Sequence, residues 1–302
     1  MNYYNDPSTR ERKKSKKDKT IMDDYRFKIL RIQHLVLGTV HILLGIASAV
    51  LPLIDSVNTK LPVYVGIPTW IDCIDYAHEQ FYTLQRVDDI HHMKDYCDKV
   101  ESPGVMFMTF ITYVLLRVEW FVFAFFVWTG LAHLFYATIY VGKYRELLDE
   151  DECLRIRWLE YGVSAGIMIG IIAYLSGIQN VVILGLLFKL FYILIGSAFF
   201  GDRLPNACFI MVGIFQLWLW VYILLELILP HSENISSIPW FVYVIYFTEF
   251  VLFNSFAIIF VLERARVVDV FYLETSYNIL SFVSKAVFMV LLYSTVFAVA
   301  SR

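Results

Sequence analysis

Apolar sequence surrounds a small set of ionisable side chains: His41, His133, Glu160, Lys189, Glu226, Glu249 and Lys285. An Asp, Lys or Arg at the centre of a membrane helix costs ~2.5–3.5 kcal/mol on insertion scales, so each of these residues needs a chemical reason. Lys285 lies about ten residues into its apolar run, near mid-membrane at ~1.5 Å per residue. A lysine so placed is deprotonated, paired with an acid, or used covalently as a Schiff base. Ser281 precedes it by one helical turn and shares its face. Glu160 is the natural acid partner, because Glu160, Ser164 and Met168 recur at i, i+4 and i+8 and form one stripe. The apolar run around Glu160 starts only at Ile156, so this glutamate reads as shallower than Lys285. Either its helix begins near Asp149 and sits lower, or the pairing is oblique. His41 and His133 suit hydrogen-bonded packing, or a proton-accepting cluster facing the Lys–Glu pair. A zinc site lacks support, since no HxxxH or carboxylate triad stands at ligand spacing.

The elements that must position these groups follow from composition. The chain has 302 residues, 59% apolar, 17% aromatic and 18% charged, with a mean hydropathy of +0.61. A soluble domain holds ~45–50% apolar and ~25% charged residues, so soluble enzymes, nucleic-acid-binding modules and secreted disulfide scaffolds are excluded. Apolar runs near 29–51, 119–141, 156–178, 180–201, 206–229, 239–262 and 276–300 are each long enough for one membrane helix. Helices satisfy their own backbone groups in lipid, and period-two alternation is absent, so a seven-helix all-α bundle is expected rather than a barrel. Residues 1–28 read as a solvated basic tail and 29–302 as the bundle. Ala47-Ser48-Ala49 matches a cleavage site, but the basic region before it is too long and the apolar run too extended for a signal peptide.

Lys and Arg set the expected orientation. The tail, the 142–157 loop (Lys143, Arg145, Arg155, Arg157), Arg203, Arg264 and Arg266 gather on one side. The positive-inside rule then places the N-terminus in the cytoplasm and the C-terminus outside. Residues 52–118 form a long exoplasmic loop rich in carboxylates, with Cys73 and Cys97 either paired or two separate thiols. Its last stretch, Val105 to Leu116, is a strand of a hairpin, an interfacial segment or an extension of the second span. Asn234-Ile235-Ser236 is a glycosylation sequon on the same side.

The segments RWLEYGVSAGIMI (157–169), FVYVIYFTEFVLFNSFAIIFVL (241–262) and LETSYNILSFVSK (273–285) resemble the third, sixth and seventh helices of heliorhodopsins, and the inverted orientation agrees. The resemblance implies all-trans retinal on Lys285 as a protonated Schiff base, Glu160 as counterion and Ser281 hydrogen-bonded nearby. It implies that His41 and His133 belong to a cytoplasm-facing polar cavity, that Tyr161 and Met168 line the polyene, and that Asn254 and Ser255 lie in the retinal pocket. It further implies that the first exoplasmic loop forms strands and contributes to a homodimer.

Lys189, Glu226 and Glu249 depart from that pattern. Extra carboxylates toward the outer face are what a proton path needs, whereas Lys189 neutralising one glutamate would be purely structural. The leading expectation is a retinal photoreceptor with a slow photocycle that senses light or regulates an unidentified partner. The alternative is a light-activated proton transporter or channel using Glu249 and Glu226. Enzymatic activity in its own right is not expected.

Overall fold

The computed structural model describes residues 22–54, 60–71, 105–229 and 239–297. Among them are eight α-helices: α1 (Asp24–Ile54), α2 (Val118–Ala137), α3 (Val141–Asp149), α4 (Arg157–Leu175), α5 (Val181–Gly196), α6 (Asn206–Ile228), α7 (Trp240–Ala265) and α8 (Val270–Leu291). All except the short α3 are long and apolar enough to cross a membrane, which makes seven spans and leaves the two ends of the bundle on opposite faces. The face at which α1 begins is called here the N-terminal face. The expected tail, sequon, Cys73 and Cys97 lie outside the described residues, apart from Met22 to Lys28, of which Met22 is buried and Asp24 to Lys28 already belong to α1.

Between α1 and α2, strands β1 (Lys60–Ile71) and β2 (Val105–Arg117) pair antiparallel from Lys60 opposite Arg117 to Ile71 opposite Val105. The ladder shifts between Val63 and Tyr64, where β2 carries one extra residue in the manner of a β-bulge. Val105 to Leu116 is therefore a strand and not a continuation of the second span. Its branched and aromatic residues at Val105, Phe107, Thr109, Phe110, Ile111, Thr112 and Tyr113 favour that state.

Two helix pairs approach closely, and glycine is what permits it. A Cβ on Gly130 of α2 would lie 2.7 Å from Ile42 Cγ1 and 2.8 Å from the Gly38 carbonyl of α1. A Cβ on Gly166 of α4 would lie 2.8 Å from the Phe188 ring of α5. In lipid, helices associate through such dispersion contacts and not through a hydrophobic drive, so small residues at the crossing are the main adhesive. Helix ends are tied off locally. Asn180 accepts hydrogen bonds from the backbone N–H groups of Val182 and Ile183 at the start of α5, and Asp269 accepts one from Phe271 at the start of α8. After α5, a 3₁₀ stretch (Ser197–Arg203) turns at Gly201, which has φ of 51°. Arg264 of α7 clasps this turn, donating to the Gly201 carbonyl at 3.0 Å, the Leu204 carbonyl at 2.6 Å and Asn206 Oδ1 at 2.6 Å.

One boundary differs from the hydropathy reading, and a second point that reading left open is decided. Helix α8 begins at Val270, six residues before the apolar run, because Glu274, Tyr277 and Asn278 face the interior and are buried. Helix α4 begins at Arg157, where its apolar run begins, and not at the alternative start near Asp149, since residues 141–149 form the separate α3 and Asp151 turns with φ of 59°. The connection that follows carries Cys153 and Leu154 into the core, where both are buried.

Candidate functional site

Lys285 projects from α8 into the bundle and is 3% exposed. Side chains on a helix lean toward its N-terminus, and the Lys285 ammonium accordingly reaches back one turn to donate to Ser281 Oγ at 3.0 Å. It also stands 5.3 Å from the centre of the Tyr161 ring, at the range of a cation–π contact. Glu160 is buried on α4 and accepts a short hydrogen bond from the Thr129 hydroxyl of α2. No ion pair within 4.0 Å joins Lys285 to Glu160, although the carboxylates whose charge acts on Lys285 are Glu160 and Glu249. The pairing is thus oblique. Arg157 pairs with Glu274 and the Tyr161 hydroxyl donates to the Tyr277 carbonyl at 3.2 Å, so Glu160 sits roughly level with the second turn of α8. The backward lean of Lys285 closes part of the remaining gap.

Beside the amine lies an apolar cavity with an empty volume of ≈ 820 Å³, including its mouth. Trp158, Tyr161, Ser164, Ala165 and Met168 of α4 form one wall. Phe253, Phe256, Ala257 and Phe260 of α7 form another, with Phe209, Val212, Gly213 and Gln216 of α6, Leu194, Ile195, Ser197, Ala198 and Leu204 around the end. Ser284 and Lys285 contribute from α8. The expected Tyr161, Ser164 and Met168 therefore line it. Asn254 and Ser255 do not, and their assignment to the pocket is corrected. Phe253, Phe256, Ala257 and Phe260 recur at i, i+3, i+4 and i+7 and make the inward stripe. Asn254 and Ser255 point elsewhere and donate to carbonyls of their own helix, Phe250 at 2.6 Å and Val251 at 2.9 Å.

On the N-terminal side of Lys285 the structure gathers histidines. His41 Nδ1 contacts the Leu37 carbonyl at 2.7 Å, and its ring stacks on that of His133 with centroids 5.4 Å apart. His133 Nδ1 lies 2.7 Å from His34 Nδ1, and His34 Nε2 lies 3.3 Å from the Tyr144 hydroxyl. Tyr144 donates to Glu274 Oε2 at 2.7 Å, and the backbone N–H of Leu154 donates to Glu274 Oε1 at 2.9 Å. Arg157 completes the cluster as the ion-pair partner of Glu274 and lies 4.9 Å above the Tyr277 ring.

Thr129, beside Glu160, and His34, Tyr144, Arg157 and Glu274, in a polar cluster outside the cavity lining, are buried polar residues that hydropathy reading missed. His34 carried a usable signal, because it precedes His41 by seven residues and so shares its helix face. Glu249 is fully buried, and neither carboxylate oxygen has a hydrogen-bond partner among the described residues. Glu226 is half-buried toward the far end of α6, where it contacts the Tyr222 hydroxyl. Lys189 faces outward from α5 and forms no ion pair with either glutamate, so mutual neutralisation is not what places these residues.

A seven-helix membrane bundle whose last helix presents a buried lysine to an aromatic-walled cavity, with a buried glutamate on the third spanning helix, has the plan of a rhodopsin-like retinal protein. A sequence profile of the heliorhodopsin family matches residues 83–297, and the chain belongs to that family. No curated protein matches it. Family membership makes it a retinal-binding, rhodopsin-like photoreceptor of the membrane. The residues present fit such a chromophore. The cavity is apolar, an amine opens onto it, and a Cβ on its lining Gly213 would meet no atom within 4 Å.

Proposed function

We propose that the chain holds all-trans retinal covalently on Lys285 and uses light to drive a slow photocycle for sensing or signalling. The observation that carries this reading is the buried Lys285 amine opening onto an aromatic-walled apolar cavity, with Glu160 buried nearby on α4. Bound as a protonated Schiff base, retinal supplies visible absorption and photoisomerisation. The protein's residues do the rest. Glu160, held by Thr129, offers the negative charge that a buried cation requires. Ser281 orients the nitrogen. Tyr161, Met168 and the α7 phenylalanines exclude water and shape the path of the polyene. Displacement of the cation relative to Glu160 then redistributes protons among nearby titrating groups, with His41 and His133 as acceptors.

The N-terminus is proposed to be cytoplasmic and the C-terminus exoplasmic, on the Lys and Arg distribution. Among the described residues the β1–β2 ribbon is a two-stranded sheet with neither outer edge paired, which supports the proposal of a homodimer through this loop. A second reading, light-activated proton transport, is favoured by the buried Glu249 carboxyl group, which has no hydrogen-bond partner among the described residues. Among the described residues no direct hydrogen bond connects Glu249 to Glu226.

The test is an absorption spectrum of the purified protein with and without added all-trans retinal, beside Lys285→Ala. The expected result is a visible band that appears with retinal, bleaches with hydroxylamine and is absent in Lys285→Ala. A folded protein that forms no band overturns the reading. Light-evoked current that disappears in Glu249→Gln would establish the second reading instead.

A further inference from the structure

The groups between His133 and Glu274 impose an order on their hydrogens. Tyr144 donates to Glu274, so its oxygen presents a lone pair to His34, and His34 must carry its hydrogen on Nε2. His34 Nδ1 is then a bare acceptor. Two ring nitrogens 2.7 Å apart need a hydrogen between them, so His133 carries its own on Nδ1. That leaves His133 Nε2 bare and buried, with no partner among the described residues. His41 arrives at the same condition independently. Its Nδ1–H serves the Leu37 carbonyl, and its Nε2 is likewise buried with no partner among the described residues. Two stacked imidazoles thus offer free acceptor nitrogens at the inner end of a chain whose outer end is a carboxylate paired with Arg157.

We propose that His133, His34, Tyr144 and Glu274 form a proton wire that carries a proton taken up at His133 to Glu274, where its arrival dissolves the ion pair with Arg157. A new N–H bond forms at His133 Nε2, while its Nδ1–H bond breaks as His34 Nδ1–H forms. His34 Nε2–H breaks as an O–H bond forms on Tyr144, whose original O–H breaks as Glu274 Oε2–H forms. One positive charge enters and one carboxylate is neutralised. Tyr136 flanks both His34 and His133 by edge contacts. Glu274 is faced by Tyr144 of α3, by Cys153 and the Leu154 N–H of the connecting segment, and by Arg157 of α4. Glu263 of α7 stands behind Tyr277, whose hydroxyl donates to it at 2.7 Å. Neutral Glu274 keeps its hydrogen bonds but loses its hold on Arg157, so the 150–156 connection and the first turn of α4 loosen at the N-terminal face. The wire rests on the photoreceptor reading only for its proton source.

Two measurements test it. In histidine-labelled protein without retinal, nitrogen NMR should show His34 and His133 as neutral rings of opposite tautomer with coupling across their shared hydrogen bond. Two rings of the same tautomer would overturn the wire. In the retinal-loaded protein, the light-minus-dark infrared spectrum should gain the carbonyl stretch of a protonated carboxyl group that is lost in Glu274→Gln. Tyr144→Phe keeps the ring and removes only the hydroxyl, so it should leave the visible band in place and slow the carbonyl signal by about 100-fold or more. A carbonyl signal that survives Glu274→Gln, or one whose timing is unchanged in Tyr144→Phe, overturns the proposal. Absence of any visible pigment would instead overturn the photoreceptor reading, so the two failures are told apart.

Discussion

At the scale of single residues, the hydrogen bond from Thr129 to Glu160 is the contact most open to a clean test. It crosses from α2 to α4 and orients a buried carboxylate beside Lys285. Glu160→Gln is expected to shift the visible band, since the cation loses its partner charge. Thr129→Val leaves the charge in place and removes only a donor, so it should shift the band less. Absorption spectra of the two variants check this, and an unshifted Glu160→Gln would remove Glu160 from the role of counterion. Lys285, Glu160, Ser281, His41 and His133 were legible because a polar group in an apolar run stands out against its neighbours. Arg157 and Glu274 were not, since each lies at the edge of its run. The apolar cover that buries them comes from α3 and from residues 150–156, which no local window contains. Asn254 and Ser255 misled for the opposite reason: polar residues in an apolar segment can satisfy themselves on their own helix.

At the scale of elements, the α4–α5 crossing and the cavity make contrasting demands on glycine. Gly166→Ala pushes a methyl group against the Phe188 ring, with 2.8 Å available, and is expected to destabilise the bundle by about 1–3 kcal/mol. Gly213→Ala meets open space and should leave thermal stability unchanged or slightly raised. Gly213→Trp should fold yet fail to take up retinal, because it occupies the cavity. Thermal melts and pigment yield of the three variants decide it, and a stable Gly166→Ala would show that the pair is not tightly fitted. Seven spanning elements were legible from hydropathy, and their centres agree with the structure. Their ends were less so. The start of α8 was hidden by its polar inner face, whereas α4 begins where its apolar run does, after the chain has made the separate α3.

At the scale of the whole molecule, seven spans among the described residues put the two ends of the bundle on opposite faces, and the proposed orientation rests on charge distribution. An epitope at the N-terminus should be reachable only in permeabilised cells, and one at the C-terminus in intact cells. The reverse pattern would overturn the proposed orientation. The same geometry sets the N-terminal face, with α3, the 150–156 connection and the buried Arg157–Glu274 pair, against the face that carries the β1–β2 ribbon.

The nitrogen-to-nitrogen meeting of His34 and His133 has a consequence for the direction of traffic. Once a proton has passed, every hydrogen along that line points the opposite way, and a second cannot follow until both imidazoles have exchanged tautomers. Sending the first proton back by the same route restores the starting arrangement at once, whereas releasing it elsewhere leaves the line inverted. An arrangement of this kind favours a reversible memory of one photon over a turnstile: it lends a proton and takes it back, and its natural output is the interval during which the loan is outstanding.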